Sequence, residues 1–274
     1  MLSAEQVQEF QDIIWDYYHK HGRDLAWRQP EPDGTFDPYK VMVSEVMLQQ
    51  TQVLRVEPKY AEFLAAFPDV KHLADAPLES VLKVWQGLGY NRRARFLREA
   101  ARQIVRDHNG RVPDAFDELC ALNGIGKNTA AAILAYAFNQ PVMFVETNIR
   151  TVYLHHFFAD KDGVDDKDIV DLVSRTLDRE HPREFYWAIM DYGTHLKATI
   201  GSQNMRSKHY VKQSGFQGST RQLRGIVLRA LSEKPCTTTS LRADLSDDRL
   251  DIVLDGLMRE GLIQEIDGVL SIAA

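Results

Sequence analysis

The sequence predicts an all-α fold that ends in a short β-hairpin. Apolar residues recur at intervals of three and four through most of the chain, which is the spacing of one helix face. No convincing alternation of apolar and polar residues occurs before residue 260. The 274 residues are 44% hydrophobic and 26% charged, ordinary values for a globular protein with a buried core. This composition excludes a disordered, collagen-like or disulfide-stapled chain.

The helices follow one another with recognisable start and stop signals. Ser3 and Gln6 form a capping box that begins the first helix, and Gly22 ends it. The further helical patterns of the first three quarters of the chain cover about residues 39–52, 57–67, 78–85, 91–108, 113–122, 127–138, 148–158, 166–177 and 183–194.

The C-terminal quarter has a different organisation. Three short helical patterns precede an alternating run that turns at Asp267 and Gly268, and these patterns cover about residues 221–231, 238–245 and 247–261. Three helices followed by a two-stranded hairpin are typical of a winged-helix module. The stretch 215–220 has the glycine and serine content of a linker. The sequence therefore predicts a helical domain over residues 1–214 and a winged-helix-like domain over residues 220–274.

Cysteine content and hydropathy limit the cofactors that the protein can bind and indicate its cellular location. Cys120 and Cys236 are the two cysteines of the sequence, so no Cys-x-x-Cys pair is available for zinc or for an iron–sulfur cluster. We expect both to be buried, reduced thiols. No apolar run approaches the roughly 18 residues of a membrane span, and the N-terminus lacks the layout of a signal peptide. A cytoplasmic protein that binds no membrane, metal or other cofactor is expected.

The charge of the chain is unevenly distributed. The formal net charge is −6, which by itself argues against a nucleic-acid partner. Residues 193–229, however, contain no acidic residue and seven basic residues: Lys197, Arg206, Lys208, Lys212, Arg221, Arg224 and Arg229. Residues 230–274 reverse this balance, with nine acidic and four basic residues. The basic segment suits a polyanion, whereas the acidic C-terminal unit suits a protein partner.

A glycine-containing turn separates two helical patterns in the stretch Leu122-Asn-Gly-Ile-Gly-Lys-Asn-Thr129. Gly124 and Gly126 can adopt positive φ and leave backbone N–H groups exposed at a helix N-terminus, where a phosphate can bind without base readout. Lys127 adds a positive charge, and Thr129 adds a hydroxyl group. A simple turn between two helices is the alternative interpretation.

Glu146 supplies a carboxylate one helix and one short connection after this turn. Together with longer motifs, this arrangement resembles the helix-hairpin-helix DNA glycosylases of the endonuclease III superfamily, and among them the adenine mismatch glycosylases. The matching motifs are Asp37-Pro-Tyr-Lys-Val-Met-Val-Ser-Glu-Val-Met-Leu-Gln-Gln-Thr-Gln-Val53, Phe67-Pro-Asp-Val, Ala76-Pro-Leu, Trp85-Gln-Gly-Leu-Gly-Tyr90, Arg93-Ala-Arg95 and Trp187-Ala-Ile-Met-Asp-Tyr-Gly193. The resemblance implies a two-lobed helical glycosylase fold, an active-site cleft between the lobes, and double-stranded DNA as the partner.

The resemblance also implies that two carboxylates share the chemistry of base excision. Glu45 lies among apolar neighbours from Val41 to Met47, where burial would raise its pKa and let it protonate the departing base. A glutamate on an exposed helix face is the alternative. Glu146 stands where the family has aspartate, and its ionised form, favoured at a helix N-terminus, would stabilise an oxocarbenium-like centre or orient water. A side chain that merely caps the helix is the alternative there.

The resemblance also implies roles for two asparagines. Asn148 matches the family's asparagine two residues after the catalytic carboxylate, and it is expected to help hold that carboxylate or a water molecule. Asn128 occupies the base-pocket position where bifunctional relatives carry a Schiff-base lysine, and an amide cannot form an imine. Hydrolysis without lyase activity is therefore expected. Because the adenine enzymes often place Tyr or Ser at this position, Asn128 also leaves the choice of base open.

Three more positions are expected to contact DNA or the excised base. Gln50 and Tyr90 match residues that fill or wedge the duplex where the base has left it. Trp27 is a candidate for the wall of the base pocket. For Tyr90 and Trp27, the alternative is a buried structural ring.

Two departures from the family affect the functional prediction. Lys197 stands where the first cysteine of the iron–sulfur cluster is usual, and the domain that reads 8-oxoguanine has no counterpart, which weakens adenine opposite 8-oxoguanine as the substrate. We expect no cluster, and we expect Arg206, Lys208 and Lys212 to contact phosphates in its place. A solvated basic loop is the alternative. The acidic stretch 160–168 lacks the calcium-loop pattern and is expected to be a solvated loop.

The sequence thus predicts a monofunctional DNA glycosylase that hydrolyses the N-glycosidic bond of a flipped-out base in duplex DNA. We expect a monomer that acts in the cytoplasm, associated with the nucleoid. Adenine is the first choice of base. Uracil, thymine or another altered pyrimidine is the second, because thymine-mismatch members of the superfamily also resemble the sequence around Glu45. A lesion-binding protein that has lost catalysis through Glu146 is the third.

Overall fold

The computed structural model describes residues 2–211 and 215–273, and these ranges contain fourteen α-helices, two 3-10 helices and three strands. The α-helices are α1 (Ala4–His21), α2 (Pro38–Leu48), α3 (Val53–Ala66), α4 (Val70–Asp75), α5 (Leu78–Trp85), α6 (Arg92–Asp107), α7 (Phe116–Ala121), α8 (Lys127–Phe138), α9 (Thr147–Phe157), α10 (Asp166–Thr176), α11 (Pro182–Thr199), α12 (Thr220–Glu233), α13 (Thr238–Leu245) and α14 (Leu250–Arg259). The strands are β1 (Cys236–Thr237), β2 (Ile263–Ile266) and β3 (Val269–Ile272). No helix in the described ranges has the length and apolar character needed to cross a membrane.

The fold is mainly helical, as predicted, and helix α4 and strand β1 are among the short elements that the periodicity of the sequence does not predict. Asp69 caps α4 by accepting hydrogen bonds from the backbone N–H groups of Lys71 and His72. This cap lets a six-residue helix form without a long apolar pattern. β1 forms because Cys236 pairs with Leu270 of β3, a partner that is distant in the sequence.

The chain forms two compact units, each assembled from separate stretches of sequence. The first unit contains Met1–Val41, Asp114–Asp117 and Gly126–Lys212. The second unit contains Met42–Pro113, Glu118–Ile125 and Gln213–Ala274. The C-terminal residues therefore share a unit with the helices from α3 to α6, and independent folding of residues 220–274 stays a prediction.

Helix α8 lies at the centre of the first unit, and all its residues from Ala130 to Ala137 are buried. Helices α9 and α11 pack against each other in the same unit. A Cβ atom at Gly193 would lie 2.5 Å from the backbone oxygen of Asn148, so the two helices approach more closely than a larger residue would allow. This contact places the first turn of α9 against the C-terminal half of α11.

A buried ion-pair network fixes the segment between α1 and α2. The carboxylate of Asp191, which is 2% exposed, accepts hydrogen bonds from Arg28 Nη1 at 2.8 Å and from Arg23 Nε at 2.7 Å. The backbone N–H of Arg23 donates to the same carboxylate at 2.8 Å. Arg28 directly follows Trp27 in the 3-10 helix Ala26–Arg28, so this network also determines where Trp27 lies.

The core of the second unit is built on aromatic and arginine contacts between α3, α5 and α6. The rings of Phe63 and Trp85 are fully buried and meet edge to face at 5.9 Å. Arg98 of α6 is buried, and its Nε donates to the backbone oxygen of Ala76 at 2.6 Å. This bond satisfies a carbonyl group at the C-terminal end of α4.

Residues 220–272 add a helix, a strand, two helices and two strands to the second unit. Strand β3 lies between β1 and β2 in an antiparallel sheet. The predicted hairpin is confirmed, because Asp267 and Gly268 connect β2 to β3 with φ values of +52° and +75°. A winged-helix-like classification of this segment stays a prediction.

Cys120 and Cys236 are both partly exposed, so the prediction that they are buried is wrong. Cys236 lies in the two-residue strand β1, which pairs on one side alone, and this edge position leaves the side chain accessible. Cys120 lies near the end of the short helix α7.

Candidate functional site

The turn between α7 and α8 has the predicted positive φ at one of its two glycines. Gly124 has φ +78°, and a Cβ atom there would lie 2.6 Å from Cβ of Phe96 in α6. Both the backbone conformation and the close contact therefore require glycine at this position. Gly126 has φ −84°, and nothing lies within 4 Å of its Cβ position. The prediction of positive φ is wrong for Gly126, because this residue begins the next helix in an extended conformation.

Gly126 is the N-cap residue of α8, and it offers no side chain to cap the helix. Backbone N–H groups of a first helical turn then need an acceptor from outside the helix, and an anion is a suitable one. Lys127 is exposed in this turn, and Thr129 is partly exposed. The turn therefore presents the groups that the sequence analysis assigned to phosphate binding, and the contact itself stays a prediction.

Glu146 is the N-cap residue of α9, but its side chain makes no capping hydrogen bond. The alternative in which Glu146 merely caps the helix is therefore not supported. Burial raises the pKa of its carboxyl group, whereas the positive charges of Lys197 and Arg150 lower it. Arg150 also donates two hydrogen bonds, each 2.7 Å long, to the carboxylate of Asp166. Lys197 is therefore the main positive charge that opposes the effect of burial on Glu146.

Two polar contacts hold the residues on either side of Glu146. Lys197 Nζ, from α11, donates to Asn148 Oδ1 at 2.6 Å, and burial lowers the pKa of Lys197. Asn128 Nδ2, from the first turn of α8, donates to the backbone oxygen of Val145 at 2.9 Å. The segment that carries Glu146 is thus held at Val145 by Asn128 and at Asn148 by Lys197. The catalytic roles of Glu146 and Asn148 and the base-pocket role of Asn128 stay predictions.

The residues around Lys197 do not fit an iron–sulfur cluster. Such a cluster needs about four thiolate ligands, and the sequence contains two cysteines, one in α7 and one in β1. Lys197, at the position of the family's first cluster cysteine, binds Asn148 instead. Within the described ranges, no group of three or more His, Cys, Asp or Glu side chains is placed to hold a metal ion.

Gln50 and Tyr90 lie on two loops of the second unit, and the buried guanidinium group of Arg93 joins these loops. It donates hydrogen bonds of 2.5 to 3.2 Å to the backbone oxygens of Val46, Met47, Gln49, Leu88 and Gly89. Burial lowers the pKa of Arg93 to about 10, so it is still charged at neutral pH. Gln50 and Tyr90 have φ values of +54° and +48°, a strained conformation for residues with a side chain. The contacts of Arg93 hold both loops in this conformation.

Both loops line a groove of about 1070 Å³ in the second unit, and Gly124 contributes to the same wall. Among the described residues that line the groove, Glu260 is the single acidic one, and six are arginines: Arg55, Arg92, Arg93, Arg221, Arg224 and Arg229. In a chain with a formal net charge of −6, this lining is a local concentration of positive charge. The groove is therefore suited to a polyanion.

Glu45 lies in the part of α2 that belongs to the second unit. Its neighbours from Val43 to Met47 are buried, whereas Glu45 itself is partly exposed. Its side chain therefore emerges from an otherwise buried stretch, and it does not lie on a fully exposed helix face. Its role as an acid stays a prediction.

The described residues of the basic segment have different partners in the first unit. Arg206 is 20% exposed, and its Nε and Nη2 atoms donate to one backbone oxygen of the acidic loop 160–168, at 3.2 and 3.1 Å. Lys208 is 65% exposed and donates to Asp165 Oδ2 at 3.2 Å. The acidic stretch 160–168 therefore binds the basic segment as well as contacting solvent. The prediction of a loop is wrong for residues 166–168, because Asp165 caps α10 and these residues form its first turn. Lys212 lies outside the described residues. Phosphate contacts of these three residues stay a prediction.

Trp27 is 8% exposed in the 3-10 helix that the Arg28–Asp191 network holds. Its burial favours the structural interpretation of this ring, and a place in the base pocket stays a prediction.

Three residues have specific contacts in the structure that their place in the sequence does not predict: Lys197, Arg93 and Arg221. Signals for them exist, because Arg93 belongs to a family motif and the other two belong to the basic segment. Their partners are Asn148, two loop backbones and Tyr90, and none of these is adjacent in the sequence. Only the packing of the helices shows these pairings.

The helical fold, the glycine turn and the partly buried carboxylate define a protein of the helix-hairpin-helix base excision repair class. The model of the HhH-GPD superfamily of base excision DNA repair proteins matches residues 43–175. An adenine DNA glycosylase from Buchnera aphidicola subsp. Baizongia pistaciae (strain Bp) is 34% identical over 219 residues, which cover 76% of this chain and 60% of that protein. An adenine DNA glycosylase from Mycobacterium tuberculosis (strain CDC 1551 / Oshkosh) is 33% identical over 280 residues, which cover 92% of this chain and 90% of that protein.

A solved structure described as a thermostable thymine-DNA glycosylase is also similar. It is 25% identical, covers 69% of this chain and 86% of its own, and superposes with a TM-score of 0.60. The chain belongs to the HhH-GPD superfamily and, within it, to the family of the adenine DNA glycosylases.

Proposed function

We propose that this protein is a monofunctional DNA glycosylase that excises adenine from duplex DNA. Two relatives named adenine DNA glycosylase support the adenine assignment. The matched region covers 90% of the length of the relative from Mycobacterium tuberculosis. The chain spans 60% of the other relative. The observation that carries the proposal is the position of Glu146, a partly buried carboxylate at the N-terminus of α9, two residues before Asn148, which accepts a hydrogen bond from Lys197.

Excision hydrolyses the bond between a nitrogen of the base and C1′ of the sugar. The electron pair of this bond leaves with the base, which takes up a proton, and the sugar becomes an oxocarbenium-like centre. Water then adds at C1′ and loses a proton. Glu45 would donate the proton to the base, and ionised Glu146 would stabilise the positive sugar and accept the proton of the water.

The surroundings of Glu146 suit this second role if its carboxyl group is ionised. A negative charge removed from bulk water stabilises a nearby positive centre more strongly than one in solvent. Burial opposes the ionisation, and Lys197 and Arg150 favour it. Lys197 also holds Asn148, so one side chain both stabilises the charge and positions the neighbouring amide.

Asn128 supports hydrolysis without lyase activity. Its amide cannot form an imine with the sugar, and it donates to the backbone oxygen of Val145, directly before Glu146. Asn128 is therefore a positioning residue for the segment that carries Glu146.

A panel of duplexes that each contain one candidate base tests the proposal. The panel contains adenine opposite guanine, 8-oxoguanine or thymine, and uracil or thymine opposite guanine. Under single-turnover conditions, we expect adenine in a mispair to be released at least about tenfold faster than the pyrimidines. The E146Q variant is the matched control, because it keeps the shape of the side chain and removes its charge. Release no faster than the spontaneous release from the same duplexes without protein would overturn the assignment as an enzyme.

Thymine opposite guanine is the second candidate substrate. The solved structure described as a thymine-DNA glycosylase favours it, with 25% identity and a TM-score of 0.60. Glu146 in place of aspartate keeps a third interpretation open, a lesion-binding protein without catalysis. Binding to the panel without release of any base would support that third interpretation.

A monomeric state, a protein partner for the acidic C-terminal residues and a nucleoid-associated location complete the proposal. The protein partner is supported by the excess of nine acidic over four basic residues in the segment 230–274, which gives the segment a net negative charge.

A further inference from the structure

Helix α12 contributes one wall of the arginine-lined groove. Arg221, in its first turn, donates from Nη1 to the hydroxyl oxygen of Tyr90 at 2.8 Å. The guanidinium carbon of Arg221 also lies 5.8 Å from the centre of the Tyr90 ring, and that of Arg93 lies 5.5 Å from it. Tyr90 therefore has a buried arginine and a groove-lining arginine as neighbours.

The remaining groove residues of α12 differ in their partners. Arg224 forms an ion pair with Glu260, which neutralises much of its charge. Arg229 is exposed and lies about one and a half helical turns after Arg224. Gly225 is also exposed and has nothing within 4 Å of its Cβ position, so the surface of the helix is open at this point. Arg221 and Arg229 thus lie on either side of an unobstructed stretch of α12.

The opposite face of α12 is apolar and packs within the second unit. Leu223, Val227 and Leu231 are buried, and α12 contacts α5, α14 and β3. The helix therefore has one face in the core and one face on the groove. This packing gives the arginines a rigid support, which favours defined contacts with a ligand.

We propose that α12 is a DNA-binding element, whose arginines bind the sugar–phosphate backbone and whose Arg221 positions the Tyr90 ring against the bases. Charge complementarity supports this partner, because six arginines and one glutamate line the groove and DNA carries one negative charge per roughly 1.7 Å of its axis. The guanidinium fork matches the geometry of phosphate oxygens. The proposal rests on the proposed function only in requiring that the chain binds duplex DNA, and not on which base is released.

This assignment changes the expected role of the C-terminal residues. Sequence analysis gives them an acidic character that suits a protein partner, and α14 indeed carries Asp251 and Asp255. Within the predicted domain 220–274, α12 instead carries the last three residues of the basic segment, Arg221, Arg224 and Arg229, and presents them to the groove. One segment therefore combines a basic helix at the groove with an acidic remainder. Truncation after residue 232 is a poor test, because it removes α14 and β3, against which α12 packs.

Point variants of the full chain test the phosphate contacts. Equilibrium affinity for an undamaged duplex is measured over a series of salt concentrations for R229Q, R229E and R242Q. Arg242 is the matched control, because it is an exposed arginine of α13 that pairs with Asp251 and does not line the groove. We expect R229Q to weaken binding about three- to tenfold, R229E to weaken it further, and each lost contact to flatten the slope of log affinity against log salt by roughly 0.9.

A double-variant cycle tests the contact between Arg221 and Tyr90. R221Q, Y90F and the combined variant are compared in affinity and in the fluorescence of 2-aminopurine placed beside a single mismatch, which reports base unstacking. If Arg221 acts through the hydroxyl group, the combined variant loses less affinity than the product of the two single losses. Folding of each variant is checked by its thermal unfolding midpoint.

The proposal is overturned if R229Q, R229E and R221Q, each folded, bind with the affinity and salt slope of R242Q. Additive losses in the cycle would remove the positioning role of Arg221. These measurements use binding alone. If the α12 variants weaken binding as expected but no base is released from any duplex of the panel, only the proposed excision activity is contradicted.

Discussion

Lys197 Nζ lies 2.6 Å from Asn148 Oδ1, and the amine interacts electrostatically with Glu146. The contact follows from helix packing. Gly193 lets α11 approach the backbone of α9 at Asn148, and Lys197 lies four residues later on the same face of α11. The position at which the resemblance leads us to expect a cluster cysteine therefore holds a lysine that binds the segment carrying Glu146.

Removal of the Lys197 charge should change the pH dependence of excision. The proposed reaction needs ionised Glu146, so activity falls as the pH drops through the pKa of this group. Lys197 lowers that pKa, and K197M should therefore raise it and move the acidic limb of the kcat/KM profile to higher pH. We expect kcat at neutral pH to fall by about 10- to 100-fold.

The control for this variant is K71M, which removes an exposed lysine of α4 that pairs with Asp75 at 3.7 Å. K197R should recover part of the activity, because it keeps the positive charge. A K197M profile that superposes on that of the wild type would show that Lys197 has no influence on Glu146.

Substitutions of Glu146 separate its charge from its length. E146Q removes the charge and should reduce excision by at least about 100-fold. E146D restores the residue that the family uses, and it should retain or increase the activity. Single-turnover rates on an adenine mispair measure both, and a Gln variant as active as the wild type would assign Glu146 a structural role.

Substitution of Glu45 tests the proton donor. E45Q keeps the shape of the side chain but cannot donate a proton, so base release should be abolished while duplex affinity stays within about threefold of the wild type. Excision is measured in single turnovers and affinity by anisotropy on the same duplex. Undiminished release by E45Q contradicts the assignment.

No covalent enzyme–DNA adduct should form during excision, because Asn128 stands at the position of the imine-forming lysine. Borohydride is added during turnover on a lesion duplex, and adducts are counted by gel. A stoichiometric adduct would contradict this prediction. The K197R variant would then show whether the amine of Lys197 is the nucleophile.

Arg206 and Lys208 should respond differently to substitution, although the sequence assigns them the same role. Lys208 is 65% exposed, and its surface ion pair with Asp165 contributes little stability, so it can exchange this partner for a phosphate. K208Q should flatten the salt slope of DNA binding by roughly 0.9. Arg206 donates to the backbone of the acidic loop, and R206Q should instead lower the unfolding midpoint by about 2–4 °C. Equal salt slopes for K208Q and the wild type would count against the phosphate contact.

The order and type of the elements could be predicted from the sequence, because they depend on local patterns. The capping box at Ser3 and the turn at Asp267 and Gly268 are examples, since each is decided by a few neighbouring residues. The short helix α4 and the strand β1 escape such patterns. One is decided by a single capping aspartate, and the other by a distant strand.

The chemical character of the sites could also be predicted, because motifs carry residue types. Such motifs indicate Glu45, Glu146, Asn148, Gln50 and Tyr90 as candidates, and the roles of these residues stay predictions. Gly126 shows the limit of the method, since its neighbour Gly124 needs positive φ and Gly126 does not. The same residue type thus serves two different backbone conformations two positions apart.

What the sequence by itself determined is a helical protein with a glycine turn, a downstream carboxylate and a basic segment, because these properties are read from neighbouring residues. The tertiary structure alone decided which charges meet. Arg221 contacts Tyr90 across 131 positions, and Lys197 contacts Asn148 across 49. Such pairs depend on how buried helix faces pack, and packing is set by the fit of many side chains at once. The basic segment is for this reason divided among the Glu146 surroundings, the acidic loop and the groove.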